Sequence, residues 1–288
     1  MLAIYQRELR SYFTGFVGYV FAAFILLFGG IYTMVINLSN GITNFEYVLG
    51  NMSFVFIIAV PVLTMRVLAE ERKQKTDLLL YSLPRSMTAI VLGKYFAMLT
   101  VFAVPMGVMA VYPILLSMYG EINMAVAYSA ILGFFLMGAV LIAIGMLVSS
   151  FCDNQAIAAA VCFVIILINF FISDLASFVS AEAAASLGAL TILVFVVALI
   201  VRYLTASNLA AGVVAILGVA ALLIAYGIDK TMFEGLFAAI LSSVSVFDRF
   251  YSFTDGVFDL GAIVYFLSVI ALMVFYTVQS MERRRWGE

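Results

Sequence analysis

Long apolar blocks separated by short polar breaks run through almost the whole chain. A helix needs about 20 predominantly apolar residues to cross the hydrocarbon core of a bilayer. Eight blocks meet or nearly meet this length, and none contains Asp, Glu, Lys or Arg: 17–36, 47–65, 95–117, 124–148, 156–173, 183–201, 209–228 and 260–280. The pattern therefore predicts eight transmembrane helices.

Two further segments are amphipathic. Residues 1–16 place apolar side chains three and four positions apart, with Arg7 and Arg10 off that stripe. This spacing favours a helix that lies in the membrane interface, with a frayed polar N-terminus as the alternative. Residues 229–259 repeat the apolar spacing, which predicts an amphipathic helix on the external surface of the membrane.

Composition agrees with a chain that lies mostly in lipid. Hydrophobic residues make up 66% of the chain and charged residues 10%, whereas a soluble domain carries about 25% charged residues. The predicted fold class is all-α, with residues 1–288 forming one polytopic integral membrane helical bundle. The chain has no histidine, which excludes histidine-based catalysis and metal ligation. Its net charge of -2 offers no basic face for nucleic acid.

Basic residues predict the orientation, since loops rich in Lys and Arg stay in the cytoplasm. With the N-terminus inside, only Lys230 and Arg249 of the fourteen basic residues lie outside. The opposite orientation would place all the other basic residues outside. The sequence therefore predicts an N-in, C-in arrangement.

The longest polar break in the first half of the chain, residues 66–94, is the strongest candidate for contact with a soluble partner. It holds six basic residues: Arg66, Arg72, Lys73, Lys75, Arg85 and Lys94. Clustered leucines follow the charged start, and Pro84 ends the predicted helix. A short interfacial helix of this kind can dock in a groove of a soluble protein. A solvated loop that rests on lipid headgroups is the alternative.

The chain shows no energy source of its own for transport. Its one Gly-Lys pair, Gly93-Lys94, lacks both the earlier glycine and the following Ser or Thr of a phosphate-binding loop. We therefore expect no ATP binding by this motif, no catalytic or metal-binding residue and no cofactor in this chain. The two cysteines, Cys152 and Cys162, have the spacing of neither a metal site nor an expected disulfide.

Uncharged spans also argue against an ion-driven carrier, which usually needs ionisable groups near the bilayer midplane. The few polar residues inside the spans either line a substrate path or form ordinary helix–helix hydrogen bonds. They are Asn51, Ser53, Thr64, Thr100, Asn169 and Ser268.

The segment 66–94 resembles the signature of type 2 ABC-transporter permeases, in which it forms the coupling helix between the second and third spans. The resemblance rests on Glu70-Glu71-Arg72, Thr76-Asp77, Leu79-Leu80, Ser82, Pro84 and Gly93-Lys94. Residues 149–155 resemble the family's turn between the fourth and fifth spans. Residues 256–266 and the C-terminal arginines resemble the gliding-motility and copper-enzyme-maturation branch.

The resemblance implies a permease subunit, not itself an enzyme, of an exporter in the bacterial plasma membrane. It would pair with a second permease copy or paralogue and with two cytosolic ATPase subunits that carry ATP and Mg²⁺. The implied ATPase-coupling residues are Glu70, Glu71, Arg72, Thr76, Asp77, Leu79, Leu80, Ser82, Pro84, Gly93 and Lys94.

Two features depart from the family pattern. Lys75 stands where many members have glycine, and the common core has six spans instead of eight. Residues 183–228 lie outside the resemblance and would be an inserted transmembrane hairpin. Two other functional classes stay open: a secondary carrier, and a non-transporting membrane scaffold or sensor whose charged loop recruits a cytosolic partner.

The orientation can be tested by labelling introduced cysteines in a background that lacks Cys152 and Cys162. A cysteine beside Arg202 should stay unlabelled by an impermeant thiol reagent in intact cells, because that turn is predicted to be cytoplasmic. A cysteine beside Lys230 should be labelled. Labelling at both sites, or beside Arg202 alone, would contradict the eight-span arrangement.

Overall fold

The computed structural model describes residues 1–76, 86–178, 182–205 and 208–285, and no strand occurs in these ranges. In chain order the α-helices are α1 (Leu2–Thr14), α2 (Phe16–Tyr32), α3 (Glu46–Met52), α4 (Phe56–Thr64), α5 (Ala69–Lys73), α6 (Met87–Met109), α7 (Tyr112–Leu116), α8 (Met124–Phe151), α9 (Gln155–Ser177), α10 (Ala183–Thr205), α11 (Asn208–Ile228), α12 (Leu236–Val244), α13 (Val246–Thr254) and α14 (Leu260–Arg285). Short π or 3₁₀ segments adjoin them at Thr33–Ser39, Ser53–Val55 and Thr231–Phe233. The all-α prediction is confirmed.

Within the described chain, six helical segments are long and apolar enough to cross a bilayer. They are Phe16–Ser39, Glu46–Lys73, Met87–Leu116, Met124–Phe151, Gln155–Ala176 and Leu260–Arg285. They overlap six of the eight predicted spans and confirm a polytopic membrane bundle. The predicted hairpin 183–228 is also helical, as α10 and α11, and its described apolar stretches are Ala183–Leu199 and Gly212–Ile228.

The larger of two compact units, Met1–Phe170 with Val246–Glu288, is built around α8. This helix contacts α3, α4, α6, α13 and α14, and it buries Phe134, Met137 and Met146. The spans that begin with α2 and α9 are mostly exposed. Their apolar side chains would be unfavourable in water but suit contact with lipid.

Two glycines of α8 allow neighbouring helices to approach it closely. A Cβ atom at Gly138 would collide with the ring of Phe102 on α6 and lie 3.0 Å from Cζ of Phe56 on α4. A Cβ atom at Gly145 would lie 2.8 Å from Cγ2 of Thr64, also on α4. Because glycine has no Cβ, α8 holds α4 and α6 at short range. These two helices carry the segments that flank the candidate site.

The smaller unit, Phe171–Ser245, contains α10 and α11, which pack against each other, and α12, which packs on α10. The predicted hairpin 183–228 lies within it. A Cβ atom at Gly218 on α11 would touch Val194 on α10, so a glycine again marks a close helix contact.

The external helix predicted over 229–259 is divided into two helices. The first, α12, ends at Val244, and Ser245 adopts an extended backbone conformation before α13 begins at Val246. The amide of Val246 donates to Oδ1 of Asn169 at 3.1 Å. A side chain of α9 thus satisfies one of the amide donors that a helix start leaves unpaired. The prediction of a single helix is wrong at this break.

Candidate functional site

The structure describes six of the predicted coupling residues. On α5 and just after it lie Glu70, Glu71, Arg72 and Thr76, and on α6 lie Gly93 and Lys94. The other five lie outside the described residues: Asp77, Leu79, Leu80, Ser82 and Pro84. The site can therefore be described on the two sides of residues 77–85: in the residues up to Thr76, and in α6.

Lys94 is fully buried, with a side chain that is 0% exposed. Its Nζ donates to Oε1 of Glu71 at 2.8 Å, to the carbonyl oxygen of Val67 at 3.0 Å and to Oε1 of Glu8 at 3.1 Å. An ammonium group has three N–H donors, so each donor has an acceptor. The two carboxylates and the carbonyl offset the cost of burying this charge. We call Lys94, Glu8, Glu71 and Val67 the lysine cluster.

Gly93 allows α1 to come close enough to α6 for Glu8 to reach this cluster. A Cβ atom at Gly93 would lie 3.2 Å from Cγ2 of Ile4 and from the carbonyl oxygen of Met1, so α1 would have to shift by a few tenths of an ångström to make room for it. A second contact joins the two helices further along α6, where Oγ1 of Thr100 lies 3.0 Å from the hydroxyl of Tyr5 on α1. Thr100, a candidate substrate-path residue from the sequence, therefore bonds to α1.

Arg7 closes the lysine cluster on its exposed side. Its Nη2 donates to Oε1 of Glu8 at 2.6 Å and to Oε1 of Glu71 at 3.1 Å. Burial alone raises the pKa of Glu8, but the charges and hydrogen bonds of Lys94 and Arg7 outweigh it and hold the pKa below its ordinary value. A lowered carboxylate pKa stabilises the folded chain above the unfolded pKa. That contribution is lost as the pH falls through the folded pKa.

Tyr12 fixes the C-terminal part of α1 to α4. Its hydroxyl donates to the carbonyl oxygen of Leu63 at 3.2 Å. Burial, and to a smaller extent the charge of Glu8, raises the pKa of Tyr12, so the hydroxyl remains a neutral donor. The predicted interfacial helix is thus bonded to α4 as well as to α6.

A side chain of α8 caps the N-terminus of α5. Oγ of Ser149 accepts hydrogen bonds from the amides of Leu68 at 3.2 Å and Ala69 at 3.1 Å. The first amides of a helix have no partner within it, and the N-cap residue of α5 makes no capping bond with its own side chain. Ser149 therefore fixes the start of α5 against the central helix.

A second charged group joins α5 to the end of α14. Nη1 of Arg72 donates to the carbonyl oxygen of Cys152 at 3.3 Å and lies 3.7 Å from Oδ1 of Asp153. Arg284 on α14 donates to the same Oδ1 at 3.2 Å. The side chain of Asp153 is 77% exposed, so these ion pairs contribute little stability. They do bring α5, the turn after α8 and the C-terminal helix together.

A cavity of about 530 Å³ opens beside the lysine cluster. Of the described residues, three cations and three carboxylates line it: Arg7, Arg66, Lys94, Glu8, Glu70 and Glu71. Nε of Arg66 lies 2.6 Å from Oε2 of Glu70. Oε2 of Glu71 is buried and has no hydrogen-bond partner among the residues that the structure describes. We call this space the interfacial cavity. Its walls come from α1, the start of α2, the segment that follows α4, and Lys94 on α6.

The candidate substrate-path residues are spread through the larger unit. Asn51 and Ser53 line a cavity of about 400 Å³ together with Tyr251, whose hydroxyl lies 3.1 Å from Oγ of Ser53. Three others donate to a carbonyl three or four residues earlier in their own helix: Thr64, Thr100 and Ser268. A role in a substrate path stays a prediction.

Sequence reasoning missed several members of this site, among them Glu8, Ser149 and Asp153. Glu8 is the only acidic residue of α1. A single carboxylate close to two arginines was the one sequence feature that could have indicated a buried ion-pair partner. Ser149 belongs to a stretch that resembles a family turn, but a serine near a helix end is too common to indicate a cap for another helix.

We expect Lys94→Met to destabilise the folded chain, because it removes the charge that pairs with Glu8 and Glu71 while keeping a side chain of similar length. Removing one partner of a buried ion pair costs about 3–5 kcal/mol. Glu8→Gln should cost less, because its amide oxygen can still accept from Lys94. Thermal unfolding of the purified chain in detergent measures both effects. The control is Lys230→Met, at an exposed position, and equal melting temperatures for the two lysine variants would contradict the prediction.

The chain matches the family model described as ABC-2 family transporter protein over residues 30–228, well over half of its length. No curated protein and no solved structure matches the chain. The matched range contains the hairpin 183–228, which the resemblance in the sequence left out. The match ends before residues 256–266. Assignment to the gliding-motility branch therefore depends only on the sequence resemblance of those residues and of the C-terminal arginines. The chain therefore belongs to the ABC-2 transporter family, as a multi-pass membrane component of an ABC transporter.

Proposed function

We propose that the chain is the permease subunit of an ATP-driven exporter in the bacterial plasma membrane, and that residues 66–94 couple it to a separate ATPase. The ABC-2 family match supports a membrane transport subunit that works with an ABC ATPase. In this proposal two ATPase subunits bind ATP and Mg²⁺, and a second permease copy or paralogue completes the membrane part. The apolar spans favour a hydrophobic or amphipathic cargo.

The lysine cluster is the observation that carries the coupling role. The segment 77–85 connects α5 to α6, and Lys94 on α6 bonds Glu71 on α5 directly. Glu8 brings α1 into the same cluster, and Ser149 attaches α5 to α8. A partner that displaces the segment 77–85 would therefore act on α1, α6 and α8 together.

The position of the buried charges favours this role over that of a secondary carrier. A carrier usually binds its coupling ion near the bilayer midplane. Lys94, Glu8 and Glu71 instead lie where α1, α5 and the first turns of α6 meet.

The coupling role can be tested by replacing both Leu79 and Leu80 with alanine. We expect the double variant to lose ATPase binding and transport while it still inserts normally, because truncating a buried interface anchor costs about 2 kcal/mol or more. The matched control is Leu222→Ala with Leu223→Ala, an adjacent leucine pair on α11. Co-purification of the ATPase is measured beside the amount of each variant in membranes.

Two results would contradict the proposal. One is full ATPase binding and full transport by the Leu79 and Leu80 variant, which would make the segment a loop that only rests on lipid. The other is ATP hydrolysis by the purified chain after every co-purifying ATPase has been removed, since we expect the phosphate-binding loop to lie on the partner.

A further inference from the structure

The interfacial cavity is too large to be a site for a single water molecule. Its volume is about 530 Å³, whereas one water occupies about 30 Å³ in the liquid. Among the described residues of its wall, the three cations and the three carboxylates balance in charge. A wall with this balance complements a ligand that carries both charges better than one that carries only a negative charge.

Two arginines of the cavity have guanidinium donors to spare. The side chains of Arg7 and Arg66 are 57% and 39% exposed. In bonds to the described part of the chain, Arg7 uses only Nη2, and Arg66 uses Nε and Nη2. The remaining N–H groups of a guanidinium suit phosphate oxygens, so this side of the cavity can hold a phosphate.

Glu71 provides the complementary anionic position. Its Oε1 accepts from Lys94 and from Arg7, while Oε2 has no partner among the described residues. The terminal torsion of a glutamate is soft, so an amine in the cavity can draw Oε2 toward it. A primary ammonium offers three N–H donors. Because Arg7 contacts Glu71 at 3.1 Å, the phosphate and ammonium positions are adjacent, as in an ethanolamine phosphate.

The apolar surface beside the cavity fits acyl chains. Val17 lines the cavity at the start of α2. Next to it on the same helix, Phe16, Tyr19 and Val20 are 85%, 58% and 54% exposed. A ligand whose polar end sits among the arginines would have an apolar helix surface directly beside it. This continuity favours a membrane lipid over a soluble phosphate ester.

We propose that the interfacial cavity binds the headgroup of a zwitterionic phospholipid with a primary amine, of the phosphatidylethanolamine type. The phosphate contacts Arg7 and Arg66, the ammonium donates to Oε2 of Glu71, and the acyl chains run along the start of α2. The bound headgroup would link α1 to the segment 66–76. This binding does not require the ATPase.

Native mass spectrometry of the purified full-length chain tests the proposal with three lipids of identical acyl chains. The lipids are phosphatidylethanolamine, phosphatidylcholine and phosphatidylglycerol, offered at equal mole fractions. Phosphatidylcholine has the same net charge as phosphatidylethanolamine but no N–H donor, and phosphatidylglycerol has no cation. We expect one molecule of phosphatidylethanolamine to be retained about tenfold more strongly than phosphatidylcholine or phosphatidylglycerol. A tenfold ratio corresponds to the free energy of about one hydrogen bond to a charged group.

Two variants locate the bound lipid. Arg66→Gln removes a phosphate partner without touching the lysine cluster, and Glu71→Gln removes the negative charge that faces the ammonium. Each should lower the retention of phosphatidylethanolamine about tenfold. Arg66→Gln keeps the proposal testable if Glu71→Gln does not fold. Lys230→Gln, outside the cavity, is the matched control and should bind like the unchanged chain.

Three results would overturn the proposal. The first is equal retention of the three lipids, or equal binding by Arg66→Gln and the control, which would indicate lipid bound only around the bundle. The second is displacement of the lipid by equimolar soluble phosphoethanolamine, which would make the ligand a free phosphate ester. The third is displacement by the added ATPase, which would make the cavity a site for a partner side chain. The comparisons of lipids and of variants contain no ATPase. A negative result in them would therefore contradict the lipid site and leave the coupling role unaffected.

Discussion

A buried ammonium must have an acceptor for each of its N–H groups, and this requirement organises one end of the bundle. Lys94 meets it with Glu8 from α1, Val67 from the turn after α4 and Glu71 from α5. The acceptors come from two separate parts of the chain, α1 and residues 67–71, so the charge is compensated only when both are in place. The coupling segment, the N-terminal helix and the span that begins with α6 therefore depend on one side chain.

Bilayer thickness explains why much of the fold could be predicted from the sequence. Each crossing needs about 20 apolar residues, so six spans could be identified as uncharged blocks, and α1 could be identified by the spacing of its apolar side chains. The break at Ser245 could not be identified in this way, because the apolar spacing continues across it. Asn169, which bonds the first amide of α13, lies 77 residues earlier in the chain.

Some members of the candidate site could be predicted from the sequence, but the hydrogen bonds and ion pairs between them could not. The family resemblance singled out Glu71 and Lys94, yet a lysine at the edge of an apolar block ordinarily extends its amine toward water. Its burial depends on Glu8 and on the close approach that Gly93 permits, which are tertiary features. The cap that Ser149 provides joins residues 80 positions apart. Leu79 and Leu80 lie outside the described residues, so their docking role stays a prediction.

Disulfide formation between Ile4→Cys and Gly93→Cys, in a background without Cys152 and Cys162, tests most directly whether α1 is seated on α6. A Cβ atom at Gly93 would lie 3.3 Å from Cβ of Ile4, close to the spacing of about 3.8 Å in a disulfide. Mild oxidation in native membranes should join this pair within one chain, as read by the loss of both free thiols. A Gly107→Cys partner, further along α6, should stay reduced. Failure of the first pair to form a disulfide, or equal oxidation of both pairs, would contradict the account.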